Sequence, residues 1–158
     1  MHISDVVRQD TARPTARSRA LSVELQVVLA LQYFATGSFF AVTGDTVGVS
    51  KSSVSRSVHA VSRSITRHLA REFVNFPVTD NELRRQNQMF YQVAHLPRVV
   101  GVVDWTHVAI RRPLQDEAVF VNRKGYHSIN VQVVCNCDMS FSNVVIRWPG
   151  STQDSFVW

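Results

Sequence analysis

The spacing of apolar residues changes near Val99. Upstream, they recur at intervals of three and four, as in VELQVVLALQYFAT and VSRSVHAVSRSITRHL, which is the period of a helix packed on one side. Downstream, VVGVVDWTHVAI, HSINVQVVCN and FSNVVIRW are short runs of Val, Ile and aromatic residues, separated by RRPLQDEAVFVNRKGY and CDMS. A helical period does not settle into a strand, nor the reverse, so the chain is read as α+β with a helical half preceding the start of a sheet. The last two runs form a hairpin. At 158 residues, 45% of them hydrophobic, the chain suits one ordinary domain or two small ones with a real core.

Composition shifts and proline boundaries give four segments. Residues 1–20 hold Pro14 and several arginines without apolar periodicity and are expected to be a flexible basic arm. Residues 21–75 are helical. Ser22 is placed to cap the first helix and Gly37 to stop it, and its apolar residues cover most of the circumference, so it should be substantially buried. Ser38 can cap a short helix, Gly48 permits a tight turn, and Ser50 can cap a longer helix, a spacing that matches a helix-turn-helix. At 100° per residue, Val54, Val58, Val61, Ile65 and Leu69 fall on one side of that longer helix. Arg56, Arg63, Arg67 and Arg71 fall on the other, and no acid interrupts residues 51–71.

Such a face attracts a phosphate backbone, with Lys51, Ser52, Ser53 and Arg56 leading into a major groove and Arg63 and Arg67 following. A solvated basic face on a core helix is the plainer reading of the same pattern. Charge is uneven in the same sense: residues 1–75 carry nine Lys/Arg against five Asp/Glu, and residues 76–158 eight against seven. Residues 76–98 contain a connecting helix capped by Thr79 or Asp80 and ended before Pro97.

No apolar run approaches the roughly 18 residues that span a bilayer, and the polar opening lacks the apolar centre of a signal peptide, so no membrane partner and an intracellular location are expected. Cys135 and Cys137 have no second Cys/His pair at zinc-finger spacing and read as reduced packing groups on one strand face.

The strand GVVDWTHVAI raises a separate question, because Asp104 stands inside an apolar run. A buried carboxylate needs neutralising, pairing or a cation. Asp154, in WPGSTQDSFVW, lies just beyond the strand ended by Pro149 and Gly150, where strand ends commonly build sites. Two such acids can share Mg²⁺ or Mn²⁺, ions that keep several waters and need few protein ligands. Equally, Asp154 could cap a following helix and Asp104 could bind backbone amides.

The segments SRALSVELQVVLAL, FATGSF, GDTVGVSKSSVSRSV, GVVDWTHVAI, VNRKGYHSINVQVVC and WPGSTQDS resemble the Harbinger transposase-derived nucleases, of the PIF/Harbinger group of DDE transposases. The resemblance runs almost continuously from about Thr15 to Trp158, and NRKGYHSIN and WPGS followed by DS are its specific motifs. It implies a helix-turn-helix before a ribonuclease-H-like mixed sheet within residues 99–158, and a nuclease that uses Mg²⁺ or Mn²⁺ to hydrolyse DNA phosphodiesters. The family's first two catalytic aspartates fall on Asp104 and Asp154, both as metal ligands. Trp105 stands where a small residue is usual and is expected to narrow access to the metal. Arg123 and Lys124, in the NRKG turn, are candidates for DNA phosphate contacts or for holding the insertion against the sheet. His107 and His127 are expected to hydrogen-bond within the fold. The resemblance also implies a Myb-like DNA-binding partner and residence in nucleus and cytoplasm.

The family's third acid, a glutamate well downstream of Asp154, has no counterpart before Trp158, and the nuclease fold is expected to be truncated. The chain alone should then cleave weakly or not at all, and uncovered strands such as SINVQVVC should favour self-association. The alternative of another class is a non-catalytic DNA-binding or interaction protein derived from a transposase.

Overall fold

The computed structural model of the protein describes residues 2–12 and 20–153. The chain divides into two compact units, Met1–Glu72 and Phe73–Trp158.

The first unit is helical: α1 (Ile3–Thr11), α2 (Val23–Thr36), α3 (Phe40–Asp45), α4 (Lys51–His68) and the start of the single-turn α5 (Ala70–Phe73). Local chemistry sets most boundaries. Ser22 and Ser50 accept hydrogen bonds from the Leu25 and Ser53 amides, and Gly37 closes α2 in the left-handed conformation. Gly48 turns the chain between α3 and α4 at φ 68°. The cap of α3 differs from expectation: Phe39, not Ser38, is its N-cap, and no side chain caps it. Gly44 is the residue that lets α3 approach α4, since a Cβ there would overlap the Val49 carbonyl oxygen.

The core of this unit joins Val7 of α1, Val23, Val27, Leu29 and Ala30 of α2, and Val54, Val58 and Val61 of α4. Two expectations are corrected here. The segment expected as a flexible arm contains α1, in which Val7 is fully buried and Ser4 and Thr11 nearly so. A nine-residue helix is marginal in water, and this one is held by packing its inner side on α2 and α4 rather than by propensity. The second concerns α2, of which only one side is buried: Val28, Leu31 and Phe34 are exposed on this unit.

The second unit holds α6 (Asp80–Ala94), β1 (Val102–Ala109), the one-turn α7 (Glu117–Phe120), β2 (Ser128–Cys135) and β3 (Phe141–Pro149). Thr79 and Glu82 form a reciprocal capping box at the start of α6. The strands make a three-stranded sheet in the order β1-β2-β3, with both pairings antiparallel. The fold is therefore α+β. Among the described residues the sheet is wholly antiparallel, its strands joined in sequence by returning connections, which is compatible with the start of the larger sheet expected. Cys135 closes β2, but Cys137 lies in the following turn, so the two thiols do not share a strand face.

Candidate functional site

Register decides which face each strand residue occupies. Asp104 pairs across the sheet with Val133, and Val133 with Val144, while Trp105 pairs with Gln132 and His107 with Asn130. Successive residues alternate faces, so Asp104 and Trp105 point in opposite directions. Asp104 is exposed, and among the described residues its one hydrogen bond accepts the Trp105 amide at 2.8 Å. The burial that made this acid look costly is therefore absent within the described residues. The Trp105 side chain lies on the other face of β1 from the Asp104 carboxylate.

Asp154 lies outside the described residues. Among those described, no group of three or more His, Cys, Asp or Glu side chains could hold a metal ion. What is present suits a hard divalent cation only as a single oxygen donor: an exposed carboxylate with room for metal-bound water.

The opposite face carries a cavity of about 540 Å³, lined by Trp105 and His107 of β1, Asn122 and Arg123 of the NRKG turn, and Gly150 to Gln153 after β3. Its walls are locked by hydrogen bonds. Asn122 Nδ2 donates to Ser128 Oγ at 2.9 Å, and Ser128 Oγ lies 3.1 Å from His107 Nδ1. Ser128 Oγ has two lone pairs and one proton, so it can accept from Asn122 and still either donate to or accept from His107 Nδ1. Asn122 Oδ1 accepts the Lys124 and Tyr126 amides, and Gly125 takes φ 81°, which together shape the turn. Across the cavity Asn130 Nδ2 donates to the Thr152 carbonyl, and Gly150 is buried against Ser128. Arg123 reaches this cavity, whereas Lys124 is exposed beside it without lining it. His127 pairs with Glu117, which also binds Arg112, so this histidine ties the insertion together. His107, Asn122 and Ser128 acquire a shared role that the sequence showed only as an unexplained motif.

On α4 the expected basic face is present. Lys51, Ser52, Arg56 and Arg63 are exposed and Ser53 half-buried, while Val54, Val58 and Val61 are in the core. Arg67 departs from expectation: it bonds Asp10 of α1 at 2.9 Å, so an acid from elsewhere in the chain does interrupt this face. Asp10 also accepts from Ser64 Oγ and pairs with His68 Nε2, each at 2.8 Å. The Ser64 hydroxyl chiefly, with His68 and then Arg67, holds the Asp10 carboxyl below its ordinary value.

Residues 103–158 match the family described as DDE superfamily endonuclease. The chain is 39% identical over 156 residues to "Putative nuclease HARBI1" of Homo sapiens, an alignment covering 99% of this chain and 44% of that protein. It is 36% identical to the protein of the same name from Xenopus laevis, covering 99% and 45% respectively. "Protein ALP1-like" of Arabidopsis thaliana is 28% identical over 167 residues, with 99% of this chain and 39% of that protein covered. The chain thus spans less than half the length of the curated relatives it matches. No solved structure matches it. By these matches the chain is a homologue, along nearly its whole length, of the Harbinger transposase-derived nucleases, with DDE superfamily endonuclease sequence in residues 103–158.

Proposed function

We propose that the chain is part of a divalent-metal-dependent DNA endonuclease in which Asp104 and Asp154 are metal ligands. The observation that carries this reading is the exposed Asp104 carboxylate, held mid-strand in the very segment that matches the endonuclease family. Asp104 would offer its oxygens to Mg²⁺ or Mn²⁺, and Asp154, which follows β3 in sequence, would supply a second donor. When bound, such an ion lowers the pKa of water and stabilises charge on the phosphate being cleaved. The remaining steps fall to the protein: the β1–β2 pairing fixes Asp104 in direction, and the Trp105 amide anchors one of its oxygens.

DNA is the proposed substrate and partner, gripped by α4 through Lys51, Ser52, Ser53, Arg56 and Arg63, with α3 and α4 acting as a helix-turn-helix. A Myb-like protein is proposed as the partner that chooses the site, and the nucleus and cytoplasm as the locations. The test is Mn²⁺-dependent nicking of plasmid by a protein extended to the relatives' full length. Asp104→Asn is expected to lower the nicking rate by at least the roughly 10- to 100-fold that follows loss of a group merely supporting a metal ligand. Nicking that persists at the parent rate in this variant overturns the assignment.

The non-catalytic reading is favoured by one observation, the exposed arginines of α4, which need no metal to bind phosphate. It predicts binding unchanged by Asp104→Asn with no metal-dependent cleavage.

A further inference from the structure

One polar cluster in the helical unit serves neither its apolar core nor the cleavage chemistry. Ser64 Oγ and Arg67 of α4 donate to the two oxygens of the Asp10 carboxylate at 2.8 and 2.9 Å, and His68 Nε2 lies 2.8 Å from the oxygen that Ser64 engages. We infer that Ser64, Arg67 and His68 form a phosphate site on α4 that Asp10 of α1 occupies, so that a DNA backbone reaching this end of α4 must displace a carboxylate of the protein's own. The inference rests on the reading that α4 grips DNA, and it adds a further phosphate contact and the element that competes for it.

Three observations support it. The first is the donor set. A hydroxyl, a guanidinium and an imidazole are groups that bind phosphate oxygens, and here all three come from one helix and converge on one anion. A carboxylate and a phosphodiester each offer two unprotonated oxygens that share one negative charge, so either satisfies the same donors. The second is continuity. At 100° per residue Arg56, Arg63 and Arg67 lie within about 40° of one another, and Arg63 and Arg67 are one turn, about 6 Å, apart along α4. A strand held by the exposed Arg56 and Arg63 therefore meets Arg67 next, whose side chain is 65% exposed even while it holds Asp10. The third is how lightly the occupant is held. Helix α1 has nine residues and gives Val7 to the apolar core. Its link to α2, Arg8 with Glu24, joins two side chains that are each more than half exposed, a kind of pair that is worth little. Gln9, beside Asp10, lies 3.1 Å from His68 Nε2, so both α1 residues at this site leave it together. A helix this short is marginal by itself, and giving up its end costs little.

The experiment titrates a DNA duplex with the 158-residue chain, without metal, at several salt concentrations. Asp10→Asn is expected to bind about fivefold or more tightly than the parent, within the range over which contacting residues couple. It should also steepen the slope of log affinity against log salt by about 1, the signature of one added phosphate contact. Asp5→Asn removes the same charge from an exposed position of the same helix and should change affinity by less than about twofold, because a separated surface charge is screened. Arg67→Ala is expected to change the parent little and to cancel the gain in the Asp10→Asn background. Asparagine keeps a side-chain oxygen for Ser64, so α1 stays folded in that variant. Should circular dichroism show helix loss, Asp10→Ser supplies the same reading. Were Asp10 only an anchor for α1, Asp10→Asn would lower the melting temperature and leave affinity unchanged. That outcome, a gain matched by Asp5→Asn, or a gain that survives Arg67→Ala overturns the inference. Binding by the parent with no gain in Asp10→Asn overturns this inference and leaves the DNA reading of α4 standing, whereas no binding by parent and variants alike overturns both.

Discussion

A methyl group on Gly150 would overlap Ser128 Oγ and stand 2.6 Å from the Phe120 carbonyl oxygen and 2.7 Å from that of Ser128. Two of those three neighbours are backbone, which cannot swing aside. Gly150→Ala is therefore expected to cost about 1–3 kcal/mol, the range for overpacking a close-packed site. Asp104→Asn, on an exposed face, should stay within about 0.5 kcal/mol of the parent. Urea unfolding of the two variants separates a residue that builds the site from one that acts on it. At this scale the sequence exposed Asp104 as an oddity but gave the wrong reason, burial, because a run of valines does not state which strand face is covered. Trp105 follows from the same alternation. Neighbours in a strand face apart, so it stands on the other side of β1 from the carboxylate.

Helix α4 shows how far periodicity reaches. Its buried valines and exposed Arg56 and Arg63 lie where the 100° spacing puts them. Arg56→Ala and Arg63→Ala are each expected to weaken duplex binding and to reduce the slope of log affinity against log salt by about 1 per lost phosphate contact. Arg67→Ala should cost less, since Asp10 already engages that guanidinium. Titrations at several salt concentrations read both effects. Helix α1 was hidden because nine residues with few apolar positions carry little signal, and its stability comes from docking. That docking is linked to pH. The Asp10 carboxyl is held below its ordinary value, first by Ser64 and then by His68. Its contribution is fully present above about pH 3.9, the usual carboxylate value, and is lost as pH falls through the lowered value. Acid unfolding followed by circular dichroism should show helix loss steepening below about pH 4. The dependence should be weaker in Asp10→Asn.

For the molecule as a whole, each unit leaves apolar surface open. On the sheet, Val102, Val108, Phe141 and Ile146 are exposed on the face that bears Asp104, a patch of the kind that pairs with other protein. The 158-residue chain is expected to self-associate as concentration rises, and Ile146→Lys to reduce it. Light scattering across a concentration series checks both, and a strictly monomeric parent chain at all concentrations contradicts the expectation. The order of helices before strands, the caps at Ser22, Ser50 and Thr79, and the basic side of α4 were determined by the sequence alone. Each depends on residues within a turn or two of one another, whose spacing is written directly in the chain. The docking of α1, the pairing of Asp10 with Arg67, the opposite facing of Asp104 and Trp105, and the cavity joining the NRKG turn to the loop after Gly150 were decided only by tertiary structure. These bring together residues far apart in sequence, and local periodicity carries no record of which partner, or which face, closes on which.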